Sequence, residues 1–356
     1  MLTVEPAPSA SPTPKRPIYE SSTQFRNWRF SPEQLSQLRS TLNASAVAVI
    51  RNTLENEKPG SSSVVSFLTV EEEHLLVKLY VTKITQLCGL FRFPEEVEAT
   101  AITYLKRFYL KNTVMDWHPK NVMLTALFLA TKTTNNPISL EAYTTHIPKT
   151  APSDVLDLEF LVAQSLGFEF AVWHSHRALW GMILDMQNIP DCPSDTKPIY
   201  ESALAHVRAS RLTDAELVYT PSQIALAALS LAAPEVASQW SLSKSPSEPS
   251  SSLLSSETLH AVVETIKSLI TSAGHPPHVE AVREVDRRLK LCKNPEKIVG
   301  SHAYLAKKAE EEKKAEAKRN KKASETSQAM KDGDPFGNEL IKAPIGLVDY
   351  DDEDDD

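Results

Sequence analysis

The sequence predicts an all-α protein built from two tandem copies of one helical domain. Glycine is scarce, 9 in 356 residues, which disfavours a turn-rich β protein. Apolar residues recur at helical spacing through most of the chain. His118 through Ala130 also matches Thr220 through Ala232 at a constant offset of 102 residues. At the same offset, Ala101, Ile102, Leu105, Lys106, Leu110 and Asn112 meet Ala203, Leu204, Val207, Arg208, Leu212 and Asp214. One register held through a helix, a loop and a second helix is the mark of a duplicated domain.

Each element has local grounds. Met1 to about Thr23 is Pro- and Ser-rich and predicts a disordered arm. Ser31-Pro32-Glu33-Gln34 starts a helix, with Ser as N-cap and Pro at the first helical position. Leu35, Leu38, Leu42, Val49 and Ile50 give that helix one apolar side, and Lys58 to Ser63 is a loop. Thr69 caps the next helix, with Glu71, Glu72 and Glu73 at its positive end. Pro94-Glu95-Glu96 opens a third, whose stripe is Val97, Ala101, Tyr104, Leu105 and Phe108, with Lys106, Arg107 and Lys111 at the negative end. Val122 to Ala130 is apolar on every side, so it is a central helix buried all round, and Ile224 to Ala233 repeats it. A helix over Val155 to Leu166 closes the first copy, and Phe168 to Phe170 bridges to the second. Ser241 to Ser256 is a Ser/Pro-rich insertion. Leu259 to Ile270 and Val279 to Leu291 are amphipathic, and Ser301 to Lys322 is a charged helix held by i,i+4 pairs such as Glu310 and Lys314. Asp332 to Asp356 predicts a disordered acidic tail.

Charge and cysteine usage narrow the function. The net charge of −8 includes seven carboxylates from Asp349 onward, which leaves the rest of the chain at −1. A basic nucleic-acid footprint is absent. Cys88, Cys192 and Cys292 are far apart and odd in number, so neither a disulfide framework nor a metal motif is implied, and a reducing compartment fits. Met1 to Arg16 lacks the apolar core of a signal peptide, and no apolar run approaches a membrane span. No P-loop, catalytic carboxylate pair or metal motif points to an enzyme, and no cofactor is expected.

Three strings resemble the cyclin family, most closely its cyclin H branch. They are Tyr104 through Met115, His118 through Lys132, and Thr213-Asp214-Ala215 with Tyr219 through Leu226. Asn27 to Ser31 with Gln34 and Leu35 is similar to that branch's helix before the box, and the resemblance covers roughly Phe25 to Lys290. It implies two tandem cyclin boxes of about five helices each, with flanking N- and C-terminal helices. The expected boundaries are a disordered arm at 1–24, an N-terminal helix and loop at 25–66, a first, kinase-binding box at 67–168, a second box with its insertion 241–256 at 169–295, and the charged helix with acidic tail at 296–356.

The resemblance further implies a regulatory subunit rather than an enzyme. It binds and activates a cyclin-dependent kinase of the CDK-activating type, within TFIIH, together with a RING-type assembly factor. The module phosphorylates the RNA polymerase II C-terminal domain in the nucleus. By resemblance, Lys132 and Glu159 are the kinase-contact pair. The helix dipole alone favours a lysine at a helix end, and a glutamate on an amphipathic helix is usually solvated. The 102 offset favours function, because Lys132 meets Pro234 and Glu159 meets Ala261, so the pair belongs to the first copy only. Phe25 and Trp28 either staple the N-terminal helix to its own box or meet the kinase. Tyr104, Phe108 and Phe128 read as core, whereas Tyr109 lies off the filled stripe and is a candidate kinase contact. His118 reads as a helix cap. Thr13, in Thr-Pro-Lys-Arg, is a candidate phosphorylation site, and Lys318 to Lys322 a candidate import signal.

Two departures are informative. Family members commonly place acids two or three positions after the lysine, where this chain has Thr134 and Asn135. The Met-Arg-Ala-Ile-Leu substrate-docking string is absent, and Arg177-Ala178-Leu179 falls in the wrong box, which points away from cell-cycle cyclins. The alternatives are another transcriptional cyclin of the elongation or Mediator branch, a general transcription factor IIB-like core, which requires a basic stripe, and a helical solenoid, which requires more and shorter repeats.

Overall fold

A computed structural model of the chain describes residues 17–188, 193–244 and 256–331. Thr13, Cys192, most of the Ser/Pro insertion and the acidic tail lie outside the described residues. The chain divides into two compact units, Met1–Asn294 and Pro295–Asp356. No strand occurs among the described residues.

The first unit opens with a single 3-10 turn, Ile18–Ser21, and α1, Thr23–Asn27. α2 runs Pro32–Glu57 from a capping box in which Ser31 and Gln34 satisfy each other's backbone N–H groups. α3 is Val70–Phe91, with a second capping box from Thr69 and Glu72. α4 is Glu95–Phe108 and α5 is Pro119–Thr133. Three short helices follow, α6 Leu140–Thr145, α7 Ser153–Leu156 and α8 Glu159–Ser165. α9 is Ser175–Met186, α10 Lys197–Ser210, α11 Ala215–Val218, α12 Pro221–Ala232 and α13 Pro234–Ser243. α14 is Ser256–Ala273 and α15 Val279–Leu289.

The duplication holds in three dimensions. α4 and α10 start and stop 102 residues apart, and α5 and α12 begin at prolines with the same separation. Each of α5 and α12 is the hub of its own apolar core. Every residue from Val122 to Thr131 is buried, as the unbroken apolar run requires. His118 caps α5, its Nδ1 accepting from the Lys120 N–H at 3.1 Å, while Nε2 lies 3.1 Å from Asp286.

In the first unit four expectations change. Residues 17–24, assigned to the disordered arm, are ordered: Tyr19 packs edge-on against Phe25 and Trp173, and Gln24 is buried. The single helix expected over 155–166 is split at Asp157 and Leu158 into α7 and α8. α15, assigned to the second copy, packs on α3, and Val282, Val285, Leu289 and Cys292 join the first copy's core. An amphipathic stripe says that a helix must be covered and leaves open by what. Tyr109 is 9% exposed and donates its hydroxyl to the Trp117 carbonyl at 2.7 Å, so its ring is core rather than a contact surface.

The second unit contains α16, His302–Lys331, which runs nine residues past the expected Lys322. Its i,i+4 pairs include Lys314 with Glu310 at 2.7 Å and Lys321 with Glu325 at 3.9 Å.

Candidate kinase-docking face

The face begins at the end of α5. After Thr131 the helix leaves the core, and Lys132 emerges at the end whose dipole favours a cation. The break before α8 makes Glu159 the first residue of that helix, where the opposite dipole end favours an anion. The two side chains form an ion pair, with Lys132 43% and Glu159 23% exposed. Lys132 Nζ also stands 4.7 Å from the centre of the Phe128 ring. The lysine keeps unused donors and the glutamate unused lone pairs, so the pair can engage backbone groups of a visiting helix.

Thr134 and Asn135, which stand where the resemblance leads one to expect acids, have a local explanation. Asn135 has φ +56°, and the Asn136 N–H closes back on the Thr131 carbonyl at 2.9 Å, which ends α5 in a left-handed cap. Asparagine tolerates that conformation better than most side chains.

Apolar side chains border the pair. Leu156 and Phe160 are exposed on α7 and α8, and Phe168 is exposed with its ring centre 6.2 Å from that of Phe160. Phe168 is unusual in its backbone too, at φ +56° directly after Gly167 at φ +62°. A bulky residue rarely holds this conformation unless its surroundings impose it. They do here. The Gly167 and Phe168 N–H groups close a Schellman motif on Gln164 and Ala163, at 2.9 and 3.0 Å. On the far side, Tyr104 donates to the Phe170 carbonyl at 2.7 Å. Between them, Glu169 accepts from Asn27 and from the Trp28 indole. No sequence signal marks Leu156, Phe160 and Phe168 as part of the face, because an exposed apolar residue looks like a core one until the packing is known.

Trp28 works inward. It is 4% exposed, with the Arg107 guanidinium 4.8 Å and Lys111 Nζ 5.0 Å from its ring. The Gln24 amide bonds both the N–H and the carbonyl of Trp173, at 2.6 and 3.2 Å. The Phe30 N–H reaches the Leu217 carbonyl at 2.8 Å. Residues 17–30 are therefore a strap across the linker and α11. Stapling holds for Trp28, which is unavailable as a direct contact, while Phe25 stays half-buried beside Tyr19 and Arg29.

Behind the face, charges join the two copies. Arg211 meets Glu95 at 2.7 Å and Glu98 at 3.3 Å, and Arg208 meets Glu95 at 2.6 Å. Lys106 meets Glu216 at 2.8 Å and donates to the Thr213 carbonyl at 2.6 Å. Burial alone would raise the Glu95 carboxyl, but Arg208 and Arg211 hold it below its ordinary value. Asp214, opposed by burial and gripped by Arg39 at 2.7 Å, is lowered to about 2.

Comparison with known proteins agrees with this architecture. Residues 50–171 match the cyclin N-terminal domain and 174–271 the cyclin C-terminal domain. The chain is 32% identical to cyclin mcs2 of Schizosaccharomyces pombe, across 89% of this chain and 98% of that one. It is 34% identical to a putative cyclin-H of Dictyostelium discoideum, across 60% of this chain and 75% of the relative. Among solved structures, a chain of the Chaetomium thermophilum CAK complex bound to ATP-gamma-S superposes with a TM-score of 0.73 at 28% identity, covering 83% of this chain and 94% of that one. A chain of the yeast TFIIK (Kin28/Ccl1/Tfb3) complex gives 0.59 at 30% identity, covering 71% of this chain and all of the other. With two copies of one helical box, one of which carries the lysine–glutamate pair, this chain belongs to the cyclin family, in its cyclin H branch.

Proposed function

We propose that this chain is the activating subunit of a cyclin-dependent kinase in a TFIIH-type, CDK-activating module, and supports phosphorylation of the RNA polymerase II C-terminal domain. The observation that carries this is the Lys132–Glu159 pair set among Leu156, Phe160 and Phe168 on the first copy alone. Protein kinases become competent when a strand lysine pairs with a glutamate on the C-helix. A rigid face that binds the C-helix only in that position shifts the kinase population toward the active form. The exposed aromatics supply apolar area to be buried, and the ion pair sets where the partner helix stops.

The chemistry belongs to the kinase, and the cyclin itself is no enzyme. The yeast relative's complex has three components, and by analogy a RING-type assembly factor completes the module here. Such a module acts in the nucleus. Phe25 is a further kinase contact in this reading, and Thr13 a site the bound kinase can phosphorylate.

The test is the double variant Lys132→Ala/Glu159→Ala, reconstituted with the co-purifying kinase. Interfacial charge pairs of this kind cost about 2–5 kcal/mol when truncated, so affinity should fall on the order of 30-fold or more. The isolated cyclin should lose no more than about 1 kcal/mol, the usual limit for an exposed pair. Unchanged kinase activation would remove the assignment, and a large drop in melting temperature would make the pair structural.

A further inference from the structure

The junction between the two copies holds a partly open cavity of about 20 Å³, lined by Gln24 of the strap, Ala99 of α4, His176 of α9 and Arg211 and Glu216 of the second copy, among others. Among the described residues, few buried side-chain polar atoms lack a protein hydrogen-bond partner, and three of them belong to residues lining this cavity: Arg211 Nη2, His176 Nδ1 and Glu216 Oε1. The Arg211 side chain is 7% exposed. Glu216 Oε1 has Lys106 Nζ at 2.8 Å as an ionic neighbour, out of hydrogen-bond alignment. Buried polar atoms in native proteins are almost always satisfied, by protein or by ordered water.

We propose that this cavity is a binding site for one ordered water molecule that bridges Arg211, His176 and Glu216. The size fits, since a water needs roughly 10–15 Å³ and the cavity offers about 20 Å³. The chemistry fits as well. Arg211 Nη2 can only donate, so the water accepts from it. Its two hydrogens then go to the Glu216 carboxylate and to His176 Nδ1, giving the three bonds typical of a buried water. An anion is disfavoured, because the cations Arg211, Arg208 and Lys106 already face the carboxylates Glu95, Glu98 and Glu216. The site also assigns a tautomer: Nδ1 accepts, so the proton of His176 sits on Nε2. The bridge ties α9 and the end of α10 to α11, beside the strap's Gln24, and so completes the polar network that orients one copy on the other. This inference does not depend on what the docking face binds.

The experiment uses the full chain in three forms: unsubstituted, His176→Phe and His176→Gln. Oxygen-17 relaxation dispersion counts waters that stay bound for longer than nanoseconds. His176→Phe should lose one such water, and His176→Gln, whose amide oxygen also accepts, should keep it. A high-resolution crystal structure of the unsubstituted protein should show one density peak within hydrogen-bond distance of all three atoms, and nitrogen-15 spectra should report the Nε2–H tautomer of His176. A bromide anomalous peak at the site would make it an anion site and overturn the proposal. It would equally fall on absent density, on an unchanged water count in His176→Phe, or on an Nδ1–H tautomer.

Discussion

α4 and α10 occupy the same register of the duplication and have the same length, yet they live in different surroundings. In α10 only Ala203, Val207 and Ser210 are buried, an ordinary one-sided helix. In α4 every residue from Val97 to Phe108 is buried, including Glu98, Thr100, Thr103, Lys106 and Arg107. The apolar side of α4 packs on α5, and its polar side is roofed by the strap, α11 and the end of α10. A duplicated sequence therefore yields two helices of one pattern, and only one of them has its polar face enclosed. The enclosed face becomes the joint of the molecule. It also anchors the linker that presents Phe168, so the same asymmetry separates the copy with the proposed docking face from the copy without one.

The strongest way to break this comparison is to substitute equivalent charges. Lys106 and Arg208 are 102 residues apart in the repeat, the first buried against Glu216 and the second half-exposed against Glu95. Removing one partner of a buried pair costs about 3–5 kcal/mol, and an exposed pair about 1 kcal/mol or less. Lys106→Ala should therefore lower the chemical-denaturation midpoint far more than Arg208→Ala. Equal losses would mean that the junction is not special.

Trp28→Ala comes next. A buried tryptophan truncated to alanine typically costs about 3–5 kcal/mol, toward the low end here because the strap lies at the edge of the fold. Its sharper consequence is functional. Glu169 loses its indole donor, the conformation of Phe168 is less constrained, and kinase activation should fall in a binding assay run well below the melting temperature. Full activation would show that the linker holds itself.

A smaller effect is expected from acid. His174 and His176 stack with ring centres 5.1 Å apart at the junction. Burial, reinforced by His176 and Arg211, pushes His174 well below its ordinary value, and burial and Arg211 push His176 down to about 4. Both are neutral in the folded protein at a pH where the unfolded chain is already protonated. Stability should thus be complete above about pH 6.5 and decline as pH falls toward about 4. The slope approaches ~1.4 kcal/mol per pH unit for each proton excluded. Glu73, whose carboxyl burial raises, works in the opposite direction, so the comparison to make is the slope of the unsubstituted protein against His176→Gln. No flattening in the variant would remove the histidines as the cause.

Much of the site was legible because its signals are local. Lys132 and Glu159 are both read from matching positions in the family strings, and the 102-residue offset confines them to the first copy. The three exposed apolar neighbours gave no such signal. Tyr109 shows the same gap from the other side: a stripe already filled by Tyr104 and Phe108 suggested a free face, but α4 has none.

By itself the sequence determined the long helices α2 to α5, α12, α14 and α15, the caps of α2 and α3 and the register of the duplication, because hydrogen bonds four residues apart, capping side chains and apolar spacing act within a few turns of chain. It also marked the first copy as the charged one at Lys132 and Glu159. Only the tertiary structure decided that α15 covers the first copy, that residues 17–30 strap the linker, and that Lys106 and Arg107 lie inside. Those outcomes depend on which distant surface reaches a helix face first and fits it, and no local pattern encodes the identity of that partner.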